Sequence, residues 1–412
     1  MKKTFFGAAS LALTATTAIS GGIERSSNDY GLMFQPGTVM NLGHALVTPD
    51  VSGDYTAALG GGSTGNMAKS YGTFSFAYKN DLSDRLSFGI YHNQAYGAGA
   101  SYRQGVYTGL NADWQSKQTS AILRYKLADR VSVFGGVRYV LSKADIAIPE
   151  LLVRGAVGAY ATQLATDAAA AAGAGDLATA ASLAAKATTL GTAVNPLSNP
   201  LGDPGLNYTA NGAQTGDFGY VLGAAYEIPD IALRVSLTYE SSVTHAFDTY
   251  EMLPTLGING NGTTEITMPQ SVALDFQTGI AEGTLLFGGV KWTEWSAWEV
   301  RTPGYESVTG SEVTGFASDT TTWKLGLGKQ FNENYSAFAQ ITYEAGDGEV
   351  ASRLSPTDGR TSIGLGAQFT EGPHKLRVGL EYVKLGNATD STGVKFENNS
   401  AIGFGMSYTT TF

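Results

Sequence analysis

Segments of about ten residues in which apolar and polar side chains alternate recur along the chain, and they restrict its fold most. Over residues 231–240 the odd positions are Ile, Leu, Val, Leu and Tyr, whereas Arg234, Ser236 and Glu240 are among the residues between them. Residues 375–383 repeat this pattern. Successive side chains of a β-strand point to opposite faces, so each segment predicts a strand with one apolar and one polar face.

Alternation alone is compatible with a soluble β-sandwich and with a membrane barrel, which turns its apolar face to lipid. The composition favours the barrel. Charged residues make up only 15% of the 412 residues, with 53 glycines and 11% aromatic residues, whereas a soluble globular chain is roughly one-quarter charged. Mean hydropathy is -0.06, and after the N-terminal leader no run approaches the roughly 18 apolar residues of a membrane-spanning helix. A membrane would therefore be crossed by strands.

The connections are of two kinds, which indicates a barrel with one short-loop end and one long-loop end. Short polar turns such as KLADR, EIPDI and QFNENY alternate with longer connections rich in Gly, Asn, Thr and Asp. The segments between them predict an all-β, transmembrane antiparallel barrel of about fourteen strands. They are predicted to begin near residues 38, 69, 85, 114, 131, 217, 231, 267, 284, 320, 334, 360, 374 and 399.

The two chain ends suggest export and membrane assembly. Residues 1–20 begin with two lysines, continue with an apolar stretch and end in small residues, which predicts a signal peptide. In the last strand, Phe404, Met406, Tyr408 and Phe412 share one face. A terminal aromatic residue of this kind is typical of outer-membrane proteins recognised by the barrel assembly machinery; the alternative is the closing edge strand of a soluble protein.

Composition also excludes several kinds of site. The chain has no cysteine, which excludes disulfides and thiol chemistry. The formal net charge of -10 argues against nucleic acid as a partner. The four histidines have no metal-ligand spacing, so neither a metal nor a cofactor is expected.

Three of the five tryptophans lie within residues 292–298. Trp292 shares a strand face with Leu286 and Val290, so it is predicted to join the aromatic girdle at the membrane interface. Trp295 and Trp298 are predicted to lie at or beyond the strand end, facing the lumen or the loops. The alternative is that all three indoles fill a soluble core.

The serial order of several segments resembles the FadL-type long-chain fatty acid transporters of Gram-negative outer membranes. These are LSFGIYHNQAYGAGASY, AILRYKLADRVSVFGGVRYV, GDFGYVLGAAYEIPDIALRVSLTYESSVTH, VKWTEWSAW, TTWKLGLGKQF and GRTSIGLGAQF. The resemblance implies an integral outer-membrane barrel, in contact with lipid and lipopolysaccharide, that takes hydrophobic ligands into an internal pocket. It also implies lateral release through a kink in the third strand.

The resemblance further places a plug and the kink. Residues 21–37 would form a short N-terminal plug, with Phe34, Gln35, Pro36 and Gly37 where the family has an Asn-Pro-Ala-Gly motif. Strand glycines often mark bulges or bends. Gly97 and Gly99 therefore suit the kink, although an ordinary glycine-rich strand end is the alternative.

A bound fatty acid needs a cation for its carboxylate. The lysine matching Lys324 contacts the ligand head group in the family, and a second cation is expected on the fifth strand, either Arg138 or Lys143. The alternative for each is a lumen salt bridge, for which the interior carboxylates are Glu240, Asp275 and Glu381.

The insertion at residues 145–215 is alanine-rich and predicts two short helices, broken at Gly173 and Gly175, in a long extracellular loop. In the family this loop and the next form an apolar entry groove. The matching residues of the next loop are Met252, Leu253, Leu256 and Ile258.

Three other functions are weighed against fatty acid transport. His92 beside Asn93 suggests a barrel hydrolase, but strand alternation places no serine within hydrogen-bond reach. A general porin would need a wet, charged constriction, which the plug and the few basic lining residues oppose. An uptake channel for aromatic or other uncharged hydrophobic compounds is the nearest alternative, because such ligands need no cation.

Overall fold

The computed structural model describes residues 22–26, 29–199 and 202–412, so the expected signal peptide lies outside the described residues. A single antiparallel sheet of fourteen strands closes on itself, because β1 pairs with β14 from Val39 opposite Thr411 to Asp50 opposite Ser400. This confirms the predicted barrel. The strands are β1 (Val39–Asp50), β2 (Tyr71–Asp81), β3 (Leu86–Asn93 and Gly97–Ser101), β4 (Asn111–Lys126), β5 (Val131–Ile148), β6 (Tyr208–Ile228), β7 (Leu233–Glu240 and Val243–Leu253), β8 (Ile258–Met268 and Ser271–Ala281), β9 (Thr284–Thr293), β10 (Thr320–Gln330), β11 (Tyr335–Glu344), β12 (Arg360–Glu371), β13 (His374–Leu385) and β14 (Ser400–Thr411).

The outer face of the barrel is apolar, as the alternation predicted. Along β10, Trp323, Leu325 and Leu327 are 54%, 46% and 46% exposed, whereas Gly326 and Gly328, on the opposite face, are buried. Comparable exposed side chains occur on most other strands, for example Leu365 and Leu380. Soluble monomers rarely expose apolar patches larger than a few hundred Å². This band therefore matches the lipid-facing surface of a transmembrane barrel.

Part of the lumen is filled by aromatic rings that lie on glycines of the neighbouring strand. A Cβ atom on Gly326 would lie 2.3 Å from Cζ of Phe287, and one on Gly366 would lie 2.2 Å from Cζ of Phe338. Any larger residue at either glycine would displace the ring. Glycine is therefore required there for close packing.

Short turns join the strands at the end of the barrel where β1 begins and β14 ends, and the long connections lie at the other end. The long-loop end carries helices α1 (Glu150–Gly173), α2 (Leu177–Val194) and α3 (Pro303–Thr309). Among the described residues, no helix has the length and apolarity needed to span a membrane. Short strands are Gly53–Asp54, Ala388–Thr389, Lys395–Phe396, Glu299–Val300 and Thr314–Gly315; 3-10 helices are Tyr30–Phe34, Ala57–Leu59, Gly105–Tyr107, Pro204–Leu206, Pro229–Ile231, Pro254–Leu256 and Trp295–Ala297.

The two helices of the insertion are longer than expected, with 24 and 18 residues. Their break is where the sequence placed it: α1 ends at Gly173, and Gly175 has φ +85°, a conformation that favours glycine. Val153, Val157 and Leu164 of α1 are buried in a core formed under the helices by the long loops.

That loop core also contains an ion pair whose carboxylate is buried. Asp390 accepts a hydrogen bond from the Tyr107 hydroxyl and lies 3.4 Å from Nε of Arg353. Burial raises the pKa of Tyr107 to about 12, so the phenol stays protonated and remains the donor. Three separate loops are joined at this point.

Three strands begin earlier than the sequence predicted. β4 begins at Asn111, β6 at Tyr208 and β8 at Ile258, rather than near residues 114, 217 and 267. In the first segment of β8, INGNGTTEITM, the outward positions 259, 261, 263, 265 and 267 are all polar, so it lacks the apolar outer face of a strand in lipid. Together with the second segment of β7 it extends the wall beyond the apolar band.

Residues 29–37 lie inside the short-turn end of the barrel. The ring of Phe34 is covered by the guanidinium groups of Arg124 and Arg234, at 4.2 and 4.7 Å from its centroid. Lys79, which is 1% exposed, donates hydrogen bonds to the carbonyl oxygens of Gln35 at 2.7 Å and Gly37 at 3.0 Å. Gly37 has φ +77° and donates to Asp81 at 2.7 Å.

Replacing Lys79 by alanine is expected to release this anchor. The two backbone carbonyls and the partly exposed Asp81 would lose the charged hydrogen bonds of Lys79, at a cost of about 2 kcal/mol. Thermal unfolding, followed by heat-modifiable gel mobility, should therefore shift to lower temperature, and single-channel conductance should rise. Lys329→Ala serves as the control, because Lys329 is exposed near the end of β10; equal effects of the two substitutions would contradict an anchoring role for Lys79.

Candidate functional site

An apolar cavity of about 70 Å³ lies in the long-loop half of the barrel. Four aromatic rings form much of its wall: Trp114 packs against Phe247 and Trp298 with centroids 5.6 and 5.7 Å apart, and Trp298 packs against Phe316 at 5.1 Å. They come from β4, β7 and the β9–β10 loop. The sequence reasoning missed Trp114, Phe247 and Phe316, because alternation gives a side chain's face and not its neighbours across the lumen.

The cavity wall has no cation among its described lining residues. Its charged members are Asp113 and Asp145, both acidic. Lys143, one of the expected ligand cations, lines no described cavity; its side chain is 53% exposed and pairs with Asp145 at 2.9 Å. Arg138 and Ser142 face inward, so alternation places Lys143 on the outer face of β5. Lys143 is therefore not an interior cation.

The roof of the cavity is the β9–β10 loop, residues 294–319. Trp298 and Phe316 of this loop face the cavity, as expected for an indole beyond the strand end. Trp295 is buried against Gly22, where a Cβ atom would lie 2.1 Å from its ring. Glu251 of β7 fixes the loop by accepting hydrogen bonds from the backbone N–H groups of Gly304 at 2.9 Å and Tyr305 at 3.1 Å.

A second, polar cavity of about 210 Å³ lies in the short-turn half of the lumen. Asp275, Gly289 and Lys324 stand side by side on β8, β9 and β10, so the glycine leaves space between the two charges. Lys324 faces the lumen, as predicted, near the carboxylates of Asp275 and Glu381. It forms no salt bridge with a described residue. The cavity thus holds charges of both signs.

Arg138, the other candidate on β5, faces inward but is occupied. It is fully buried and lies 3.0 Å from Oε2 of Glu240, whose Oε1 accepts a hydrogen bond from Tyr30 at 2.6 Å. Arg138 also donates to Gln118 at 3.2 Å. This arrangement matches the alternative of an interior salt bridge.

β3 breaks where the glycines were expected to mark a kink. Its first segment ends at Asn93 and the second begins at Gly97; residues 71–75 of β2 pair with no residue of β3. The N-terminal segment, residues 22–26, occupies this place. Gly97 donates to the carbonyl of Ile23 at 2.7 Å, and Arg25 donates to that of Ala95 at 2.8 Å.

A small cavity of about 40 Å³ lies at this break, lined in part by Gly97, Gly99 and Ala68. Ile23 and Ala98 line both this cavity and the apolar cavity. Only a thin wall therefore separates the aromatic cluster from the opening between β2 and β3.

The remaining predicted positions divide between the loop core and the outer wall. Leu253 is fully buried, and Leu256 and Ile258 are partly buried against the loop core, so these residues form no open groove; Met252 is 37% exposed. Trp292 lies on the face opposite the lumen residue Lys291 and is partly exposed, as a girdle residue would be. His92 hydrogen bonds Thr119 Oγ1 at 2.9 Å.

Comparison with known proteins decides the family. Residues 24–412 match the model of the outer membrane protein transport protein (OMPP1/FadL/TodX) family. The chain belongs to the FadL/TodX family. Its barrel is therefore an integral outer-membrane transporter of hydrophobic compounds, with the short-turn end periplasmic and the long-loop end extracellular.

Solved structures share this fold at low sequence identity. A Pseudomonas aeruginosa FadL homologue aligns with a TM-score of 0.68 and 13% identity, covering 93% of each chain. The toluene transporter TodX of P. putida gives 0.59 and 14%, covering 94% of this chain and 93% of its own. The toluene transporter TbuX of Ralstonia pickettii gives 0.58 and 16%, covering 99% and 98%. A search of curated proteins finds no match.

Replacing Arg138 by methionine is expected to destabilise the barrel. The Glu240 carboxylate would keep its hydrogen bond from Tyr30 but lose the buried guanidinium of Arg138. Removing one partner of a buried ion pair costs about 3–5 kcal/mol. Denaturant unfolding should show this loss. Arg301→Met is the matched control, because Arg301 has three ion pairs at an exposed site and its loss should change stability far less. Unchanged stability of the Arg138 variant would argue that this residue is free for a ligand.

Proposed function

We propose that this transporter takes up uncharged hydrophobic molecules, small aromatic compounds among them. The observation that carries the proposal is the chemistry of the apolar cavity. Its wall combines Trp114, Phe247, Trp298 and Phe316 with acidic residues and no described cation. Both carboxylates are already paired, Asp113 with Lys69 at 3.7 Å and Asp145 with Lys143 at 2.9 Å, so a ligand carboxylate in this cavity would be buried without a cation, at a cost in free energy. An aromatic hydrocarbon would pack edge-to-face on the indoles.

The size of the cavity favours a small ligand. At about 70 Å³ it is smaller than the ~150 Å³ cavity that admits benzene in an engineered protein. A single ring already requires some movement of the wall, and a long alkyl chain would require much more. TodX and TbuX are toluene transporters by name, and this cavity is compatible with a ligand of that kind.

We further propose lateral release through the opening between β2 and β3. Ile23 and Ala98 are shared by the apolar cavity and the cavity at the break in β3. The axial path toward the periplasm leads instead into the polar cavity with its charged residues, and then to residues 29–37, which Lys79 anchors. An apolar ligand gains nothing by entering that polar space, so the sideways path into lipid is favoured.

Fatty acid uptake is the second candidate, and Lys324 is the observation that favours it. Its ammonium faces the lumen without a salt bridge to a described residue. A fatty acid that reached the polar cavity could place its carboxylate there. Asp275 and Glu381 nearby would weaken that interaction, which makes this candidate second.

Equilibrium binding of toluene and of oleate to the detergent-solubilised protein separates the two candidates. We expect toluene to bind with equal affinity to wild type, Lys324→Ala and the control Lys329→Ala, and oleate to bind weakly to all three. Oleate that binds tightly, and loses roughly tenfold or more in affinity only in Lys324→Ala, as expected for a charged hydrogen bond, would instead establish fatty acid uptake.

Lateral release is tested by filling the cavity at the break in β3 without altering the apolar cavity. Ala68 lines only the former, so Ala68→Trp should leave toluene binding in detergent unchanged. Uptake of radiolabelled toluene by cells should fall by roughly tenfold, because the bulky indole blocks the opening. Ala68→Ser is the control. Normal uptake by the tryptophan variant would show that the ligand leaves elsewhere.

A further inference from the structure

The barrel wall has a second interruption, between β6 and β7. Residues 209–212 of β6 pair with residues 249–252 of β7, and residues 221–228 pair with residues 233–240. Between these two ladders, one backbone hydrogen bond joins the described residues of the two strands, from Ser241 N to the Tyr220 oxygen at 3.0 Å. Both strands keep their other neighbours, so two strand edges face each other here.

Strand edges are costly at this level of a membrane protein. In hydrocarbon, each unsatisfied backbone group costs several kcal/mol, and unpaired backbone is tolerated where it is buried in protein or lines a cavity. The outer surface beside the interruption is lipid-facing: Phe218 is 73% exposed and its ring packs on that of Tyr139 at 4.9 Å. Unpaired backbone at this position therefore indicates that the wall separates lipid on the outside from an interior space on the inside.

Side chains bridge the interruption. Nδ1 of His245 on β7 lies 2.8 Å from Oδ2 of Asp217 on β6, and Ser241 Oγ accepts a hydrogen bond from the backbone N–H of Tyr220 at 2.9 Å. The break in β3 is different, because there the segment of residues 22–26 adds backbone hydrogen bonds. Closure between β6 and β7 thus depends on a few side-chain contacts.

The interruption is connected to the apolar cavity. Gly212 and Phe247, at its extracellular edge, line that cavity. A chain of hydrogen bonds also runs from the cavity wall to His245: Trp114 Nε1 donates to Ser116 Oγ at 2.8 Å, Ser116 contacts Ser142 at 2.7 Å, and Ser142 contacts His245 Nε2 at 2.9 Å. A ligand that displaces the Trp114 indole therefore acts on the group that bridges the wall.

We propose that the space between β6 and β7 is a second lateral route between the apolar cavity and the outer membrane, gated by His245 and Asp217. The inference rests on the proposed uptake of small uncharged aromatic molecules. Ser142, His245 and Asp217 follow the order of a hydrolase triad, but Ser142 is 1% exposed and lines no described cavity. The contacts thus serve to close the wall and not to attack a substrate.

The test uses the absence of native cysteines. Asp217 and His245 are replaced together by cysteine in the Ala68→Trp background, and the pair is joined by a short bifunctional methanethiosulfonate reagent. We expect the toluene uptake that remains in Ala68→Trp to fall by a further factor of about ten on cross-linking, and to return on reduction. Equal uptake in the cross-linked and reduced states would overturn the proposal.

Thr244 and Thr267 provide the control pair, because they face each other with Oγ atoms 3.0 Å apart in a regular ladder between β7 and β8. Cross-linking cysteines at these positions should leave uptake unchanged; a loss equal to that of the gate pair would also overturn the proposal. Asp217→Ala provides a second measurement if the double-cysteine variant does not fold. It should release bound toluene severalfold faster than wild type, and an unchanged release rate would count against the gate.

Two readouts keep this inference separate from the proposed function. Toluene that fails to bind the wild-type protein in detergent would refute the proposed function, whatever cross-linking does. Toluene that binds normally, with uptake indifferent to the cross-link between positions 217 and 245, would leave the function intact and refute the second route alone.

Discussion

The structure depends on the requirement that every backbone polar group in the hydrocarbon layer finds a partner within the protein. Pairing of β1 with β14 removes the last free edge of the sheet, and this closure allows an apolar outer face. The two places where the wall loses its pairing are therefore the informative ones. At the break in β3, residues 22–26 form backbone hydrogen bonds with Ala95 and Gly97. Between β6 and β7, His245 and Asp217 provide a side-chain bridge.

The lumen is divided into two chemically different halves, and the division gives the barrel a direction. Aromatic side chains from β4, β7 and the β9–β10 loop form an apolar space near the outside of the cell. On the periplasmic side of it lie Lys324, Asp275 and residues 29–37, which Lys79 anchors. A hydrophobic molecule gains more free energy in the first space than beside the charges of the second. In the proposed mechanism, these charges favour movement toward the lipid at the side.

Much of the fold could be predicted from the sequence, because in lipid the alternation of side chains reports directly on the two faces of a strand. Lys324 faces the lumen and Trp323 faces lipid for this reason alone. Alternation also places Arg138 inward and Lys143 outward, as the structure has them; Lys143 was a candidate cation because of the family resemblance and not because of alternation. The prediction was incomplete for β8, whose extracellular segment has a polar outer face.

The cavity itself could not be predicted in this way. Trp114, Phe247 and Phe316 come from distant parts of the chain, and their contact depends on the curvature of the barrel and on the path of one loop. Leu253 was predicted to lie in an open groove, and its burial depends in the same way on helices that fold over it. Alternation predicts the face of a side chain; only the closed structure supplies its neighbours.

The glycines beneath the lumen aromatics have a consequence for how such proteins diverge. At Gly326 and Gly366 the chain tolerates no side chain, because a ring occupies the space. On the opposite face of the same strands, lipid accepts any apolar residue. Roughly alternate positions are therefore free to drift among Leu, Ile, Val and Phe while the architecture persists. Similarity of shape between relatives can thus outlast similarity of sequence, as the 13% identity with the P. aeruginosa protein illustrates.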